Sequence, residues 1–318
     1  PEGVLRIHGA VAGDQFGRSV AAGDMDGDGY GDIIVSAWAA SPSGRQGSGA
    51  AYVVFGSSEL AREGVIDLAK PRSDVLIIYG QDAGDEFGEL VYAGDVNGDG
   101  LADAIIGAPW ADSPGRTNSG KVYVVFGSKD IRSKGVVDTR AGEGVLTLLG
   151  REASDALGYH VTAGDLNGDG IDEVIAGARW ADPGGMAEAG AAYVLFGAKD
   201  AASWGTVDLA AERPGLTVLR GVHPGDNAGD RMNVGDVDGD GFGDLLVGAA
   251  GTDTPDGNQA GAVYVVFGSA GMNARAVIDL VPKTGEIVAI YGEHENDLLS
   301  MPFSGDVNGD GLDDLRSE

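Results

Sequence analysis

The stretch "AGDMDGDGYGD" (residues 22–32) packs four aspartates and four glycines into eleven residues. Like charges this dense, interrupted by glycine, form neither a stable helix nor a buried strand unless a cation gathers them. The pattern returns as "GDVNGDGLAD" (94–103), "GDLNGDGIDE" (164–173), "GDVDGDGFGD" (235–244) and "GDVNGDGLDD" (305–314), and its first aspartate recurs every 70 or 71 residues. A period this regular marks a repeat architecture and is read before any local structure.

Between the acidic loops the second repeat offers "LVYAGD" (90–95), "DAIIGAPW" (103–110), "KVYVVFG" (121–127) and "VLTLLG" (145–150). These are short, apolar and β-branched, and they end at glycine, which is the signature of strands. The third type returns as "YVVFG" (52–56, 123–127, 264–268) and "YVLFG" (193–197). The segments between strands show no sustained helical period. The expectation is an all-β chain built from a repeated four-stranded antiparallel meander. One such sheet cannot cover both of its faces, whereas radial stacking of several covers them all, which makes a β-propeller.

Composition agrees with one array over residues 1–318. The chain is 43% hydrophobic, enough for a substantial core, and its 56 glycines follow no collagen period. A formal net charge of −29 argues against nucleic acid and anionic membranes as partners. Of the 50 acidic residues, 17 sit at candidate ligand positions of the five loops. The absence of cysteine excludes disulfides, thiolate metal sites and cysteine nucleophiles. No apolar run approaches the ~20 residues of a membrane helix. The chain opens "PEGVLRIHG", without an initiator methionine or signal peptide, so the expectation is a processed protein or an internal piece of a longer one.

The second cycle, "GDEFG" (84–88), "AGDVNGDG" (93–100), "IIGAPWAD" (105–112) and "VYVVFG" (122–127), resembles the FG-GAP repeat of integrin α-subunit propellers and of many bacterial surface and secreted proteins. The resemblance covers about four and a half repeats and implies a propeller, usually seven-bladed, with calcium between the first and second strands of a blade. Departures occur at "SAW" (36–38), "ALG" (156–158), "GAR" (177–179), "NAGD" (227–230), "GAAG" (248–251) and "DLLS" (297–300). The last repeat stops after two strands, while "VLRIHG" (4–9) is of the fourth-strand type. Such a count fits part of a larger propeller better than a closed five-bladed ring.

Calcium takes six to eight hard oxygens. The pattern D-x-[DN]-x-D-G-x-x-[DE] supplies side-chain oxygens at positions one, three, five and nine, and a carbonyl at seven. The ligands expected are Asp24, Asp26, Asp28, Tyr30 (carbonyl) and Asp32 in loop 24–32, then Asp95, Asn97, Asp99, Leu101 (carbonyl) and Asp103 in loop 95–103. Loop 165–173 offers Asp165, Asn167, Asp169, Ile171 (carbonyl) and Glu173, the last with an extra methylene that makes this site the weakest match of the first four. Loop 236–244 offers Asp236, Asp238, Asp240, Phe242 (carbonyl) and Asp244; loop 306–314 offers Asp306, Asn308, Asp310, Leu312 (carbonyl) and Asp314. The apolar residue at position seven is expected to send its side chain to the core. Four or five Ca²⁺ ions are expected. Magnesium, which prefers a smaller, water-rich shell, fits less well.

No nucleophile elbow, phosphate loop or zinc-protease motif is present, so no catalytic residue and no organic cofactor are expected. Trp110 and Trp180 occupy equivalent places, with Trp38 one position earlier, and blade-to-blade packing is favoured over sugar or partner binding. Asp14, Asp85, Asp155 and Asp226 read as turn formers in preference to outer supports of the calcium loops, and His8, His160, His223 and His294 lack zinc spacing. The functional expectation is a calcium-binding, extracellular (secreted or cell-surface) scaffold for protein or glycan interaction and adhesion. The alternatives are a non-catalytic accessory domain of a secreted hydrolase, or a structural spacer in a large surface protein.

Overall fold

The computed structural model describes residues 4–254 and 257–317. Four sheets follow one another along the chain, each a meander whose strands run antiparallel in sequence order. Blade one is Phe16–Gly23, Asp32–Ala37, Ala50–Val54 and Val75–Tyr79. Blade two is Val91–Gly94, Asp103–Ala108, Lys121–Val125 and Val145–Leu149. Blade three is His160–Gly164, Glu173–Ala178, Ala191–Leu195 and Leu216–Arg220. Blade four is Ala228–Gly235, Asp244–Ala249, Ala262–Val266 and Ile287–Tyr291, and Pro302–Gly305 with Asp314–Ser317 begins a fifth. The first strands of successive blades lie side by side around a central cavity of about 690 Å³. The result is a partial β-propeller.

The connection between third and fourth strands holds an element not expected from the sequence. Its segments Val136–Asp138, Thr206–Asp208 and Val277–Asp279 each pair in parallel with the fourth strand of the preceding blade. They cover an otherwise bare sheet edge. Arg6–His8 pairs with Val65–Asp67 in the same way, so the amino-terminal segment stands where a fourth strand of a preceding blade belongs. A single helical turn, Ile131–Lys134, precedes one of these short strands.

Third strands are buried along their whole length because both faces of each sheet are covered. On Lys121–Val125, Val122 and Val124 join the cluster shared with blade three, while Tyr123 and Val125 join the one shared with blade one. That is why these strands read as unbroken apolar runs rather than alternating ones. A Cβ built on Gly107 would meet the carbonyl oxygen of Gly158 at 2.0 Å, and one on Gly177 would meet that of Gly229 at 2.1 Å. The "GAP" glycine therefore lets the backbones of two blades touch. Beyond blade four the pattern changes, and Val288, Ile290, Tyr291 and Phe303 are exposed.

Candidate divalent-cation loops

All five acidic loops join a first strand to a second strand at one end of the blades. Each is wound by its own aspartates. In the first loop Asp24 accepts the amides of Gly27 (2.8 Å) and Gly29 (2.9 Å), Asp26 that of Asp28 (3.2 Å), and Asp28 that of Tyr30 (2.9 Å). The same turns recur from Asn97 to Asp99 and Asp99 to Leu101, and from Asp306 to Gly309 and Gly311. The glycine at position six sits at φ between +80° and +90° in every copy (Gly29, Gly100, Gly170, Gly241, Gly311), a region that other residues rarely enter.

The ninth position anchors the loop from beneath. Asp32 accepts the amides of Met25 (2.8 Å) and Gly56 (2.7 Å), Asp103 those of Val96 (3.0 Å) and Gly127 (2.9 Å), and Asp244 those of Val237 and Gly268 (both 2.9 Å). The glycine closing each "YVVFG" run is thus part of the loop 24 residues before it. Its signal was the repetition of that motif, which the sequence reading assigned to strand ends alone. Glu173 accepts the equivalent position-two amide of Leu166 (2.6 Å), and its other oxygen accepts the Asn167 Nδ2 (3.3 Å), as Asp314 accepts the Val307 amide and the Asn308 Nδ2 in the fifth loop.

Among the described residues, carboxylate oxygens lie within 4.8 Å of one another in three sets: Asp24, Asp26 and Asp32; Asp165, Asp169 and Glu173; Asp236, Asp238 and Asp244. Asp95, Asp99 and Asp103, and Asp306, Asp310 and Asp314, are not drawn that close. Both of those loops carry asparagine at position three and the shorter aspartate at position nine. The long Glu173 side chain compensates for Asn167 in the third loop.

Buried carboxylates beside other carboxylates resist ionising. Desolvation pushes Asp32 up to about 6, Asp103 to about 7 and Glu173 to about 9, and neighbouring loop carboxylates add to the rise. Desolvation also raises Asp244. An oxygen-only donor set with excess buried negative charge suits a hard divalent cation.

The position-seven side chains reach across to the neighbouring blade, where Ile171 is buried and Leu101 and Phe242 are half-buried. A Cβ on Gly27 would meet Leu101 at 2.9 Å, on Gly98 Ile171 at 2.8 Å, on Gly168 Phe242 at 2.6 Å and on Gly239 Leu312 at 2.4 Å. Each therefore lies over the acidic loop of the preceding blade. Tyr30, whose side chain meets no such loop among the described residues, is 47% exposed, and Leu312 is 40% exposed. Position eight extends the chain of contacts. The amides of Ala102, Asp172, Gly243 and Asp313 donate to the carbonyls of Asp24, Asp95, Asp165 and Asp236 at 2.8–2.9 Å. The loops thus form one continuous hydrogen-bonded rim.

The remaining candidates lie elsewhere. Trp110 and Trp180 pack ring on ring across blades two and three with centroids 5.4 Å apart, and Tyr159 stands 5.4 Å from Trp180. Trp38 takes no part in that cluster. Asp85, Asp155 and Asp226 close turns on the amides of Asp82, Glu152 and His223. His160 lines the central cavity, where burial and the nearby Arg231 lower it to about 3. No helix among the described residues is long and apolar enough to cross a membrane.

Stacked four-stranded sheets, recurrent acidic loops and backbone-on-backbone glycine contacts define an integrin-like propeller arc. The FG-GAP repeat model matches residues 16–54, 87–125, 157–195 and 228–266, so the chain carries four FG-GAP repeats. It is 32% identical over 178 residues to phosphatidylinositol-glycan-specific phospholipase D of Bos taurus, covering 54% of this chain and 19% of that protein. The Dictyostelium discoideum enzyme of the same name is 28% identical over 245 residues, 74% of this chain and 24% of that protein. Integrin alpha pat-2 of Caenorhabditis elegans is 32% identical over 248 residues, 74% of this chain and 18% of that protein. The chain thus spans about a fifth of the length of these relatives.

Proposed function

We propose that the chain is a calcium-stabilised, non-catalytic scaffold of an extracellular protein, secreted or on the cell surface, which presents its blade ends to a protein or glycan partner. The observation that carries the calcium reading is the gathering of three carboxylates within 4.8 Å in the first, third and fourth loops. Asp24, Asp26, Asp28 and Asp32, with the Tyr30 carbonyl, would hold one ion, and the equivalent residues of the other loops the rest. The ion would supply the positive charge that lets buried Asp32, Asp103 and Glu173 ionise. The apolar surface left on Val288, Ile290, Tyr291 and Phe303 supports further blades beyond the fourth, as in a seven-bladed ring. A second reading, an accessory domain beside a secreted hydrolase, is favoured by the likeness to the phospholipase D enzymes.

Loops of this kind in extracellular modules bind calcium with dissociation constants of roughly 10⁻⁴–10⁻³ M. At ten times that concentration each ion adds about 1.4 kcal/mol, and five add about 7 kcal/mol. The test is calcium stoichiometry by titration calorimetry together with thermal melting in EDTA and in millimolar calcium. Four or five ions per chain with a large rise in melting temperature support the reading. No heat of binding and no shift refute it.

A further inference from the structure

Only the first and fourth loops carry aspartate at position three, Asp26 and Asp238; the others carry Asn97, Asn167 and Asn308. The first loop meets a second departure from the repeat. The helical turn Ile131–Lys134 of the next blade sits beneath it, docked by the Ser128 amide on the Met25 carbonyl (2.9 Å). From that turn Arg132 brings Nη2 to 2.9 Å from Asp26 Oδ2 and 3.3 Å from Asp28 Oδ2. The guanidinium lies 4.8 Å over the Phe55 ring and reaches the Gly56 carbonyl at 3.4 Å. The second and third loops are met by the same connection, through the Ala198 amide on Val96 and the Ser269 amide on Leu166. There "GAKDAASWG" (197–205) and "GSAGMNARA" (268–276) place Ala202 and Asn273 where "GSKDIRSKG" (127–135) has Arg132.

The oxygen that Arg132 takes matters. Asp26 Oδ1 accepts the Asp28 amide, as Asn97 Oδ1 accepts that of Asp99 and Asn167 Oδ1 that of Asp169. Asp26 Oδ2 is therefore the counterpart of the asparagine Nδ2, the atom that cannot ligate a cation. Arg132 binds this outer oxygen and leaves the inner one to the loop. The Asp26–Arg132 pair carries no net charge, like the asparagine it parallels.

We infer that Arg132 is a built-in counter-cation of the first loop, which sets that loop's divalent-cation affinity down to that of an asparagine-bearing loop. This rests on the cation reading proposed above. Without Arg132 the first loop keeps four uncompensated carboxylates. Removing one positive charge about 5 Å from a divalent ion at a water-exposed rim strengthens binding about tenfold.

Tyr30 makes this measurable at one site, because the other loops have leucine, isoleucine or phenylalanine at position seven. The probe is terbium, excited through tyrosine, titrated into the whole chain and then displaced by calcium. Tyr30→Leu defines the background from the other loops. Arg132→Met keeps an apolar stem over Phe55, and circular dichroism checks that it folds. The Tyr30-dependent signal is expected to saturate at about tenfold lower terbium in Arg132→Met and to require about tenfold more calcium for displacement. The double variant Asp26→Asn with Arg132→Met should return to the wild-type midpoint. Equal midpoints in wild type and Arg132→Met, or weaker binding in Arg132→Met, overturn the inference and leave the cation reading standing. Absence of sensitised terbium in every variant overturns that reading and the inference with it.

Discussion

If the loops hold divalent cations as proposed, stripping them should invert the response of stability to pH. Asp32, Asp103 and Glu173 have folded-state values of about 6, 7 and 9, raised by burial above those of an unfolded chain. A carboxylate raised on folding contributes stability that is fully present below its unfolded value and is lost as pH rises through its folded value. In EDTA the chain should therefore weaken between pH 5 and pH 8. At about 1.4 kcal/mol per pH unit, Asp32 loses roughly 1, Asp103 roughly 3 and Glu173 roughly 4 kcal/mol over that window. Relaxation and water entry around a newly charged carboxylate recover about half, leaving a loss of about 4 kcal/mol. For a chain of this size that lowers the melting temperature by about 6 °C. In millimolar calcium the ionised forms are the ones that bind, so stability should rise with pH. Scanning calorimetry at pH 5 and pH 8, with and without calcium, reads both slopes. General repulsion at −29 net charge slopes the same way in EDTA, so Asp103→Asn with Glu173→Gln is the control. That variant should lose most of the EDTA slope. An unchanged slope in the variant, or an EDTA melting point that holds or rises from pH 5 to pH 8, would refute the reasoning.

Two further perturbations probe the blades and the third loop. Gly107→Ala drives a methyl into the Gly158 carbonyl, 2.0 Å away, and should cost about 3 kcal/mol by urea unfolding. Ser36 stands at the equivalent place in blade one, so a neutral result would mean that the gap between blades two and three opens as readily as that one. Glu173→Asp gives the third loop the pairing of asparagine at position three with aspartate at position nine that the second and fifth loops carry, where the carboxylates are not drawn together. It should raise the calcium midpoint of the third loop about threefold relative to wild type, measured by calorimetry, on the scale of one charge-assisted hydrogen bond shared with an ion.

Two motifs of fixed spacing made the architecture readable in advance. The acidic loop and the "YVVFG" strand recur in phase, and a strand buried on both faces must be apolar throughout, so sheet stacking followed directly. The carboxylates that the structure gathers in the first, third and fourth loops were legible for the same reason. What escaped was whatever one repeat does to its neighbour. The short parallel strands at "VID" (65–67), "VVD" (136–138), "TVD" (206–208) and "VID" (277–279) recur too, but three residues carry no periodicity by themselves. The apolar character of Leu101 and Ile171 marked them for burial but did not say that the surface they cover is the acidic loop of the preceding blade. Arg132 meets Asp26 from the following blade, 106 positions along the chain, and nothing local marks that meeting.

The hydrogen-bonded rim bears on how such a chain can change length over generations. Every interior repeat receives at position one the bond that it offers at position eight. A duplication or deletion of one whole unit of 70 or 71 residues joins old donors to old acceptors, while a fractional event strands them. Growth by whole units is thus the path of least disruption. The first two units are the exception to free exchange. A recombination that parted Arg132 from Asp26 would leave an arginine facing an asparagine loop, or an aspartate loop without its arginine. These two repeats are therefore expected to be inherited together.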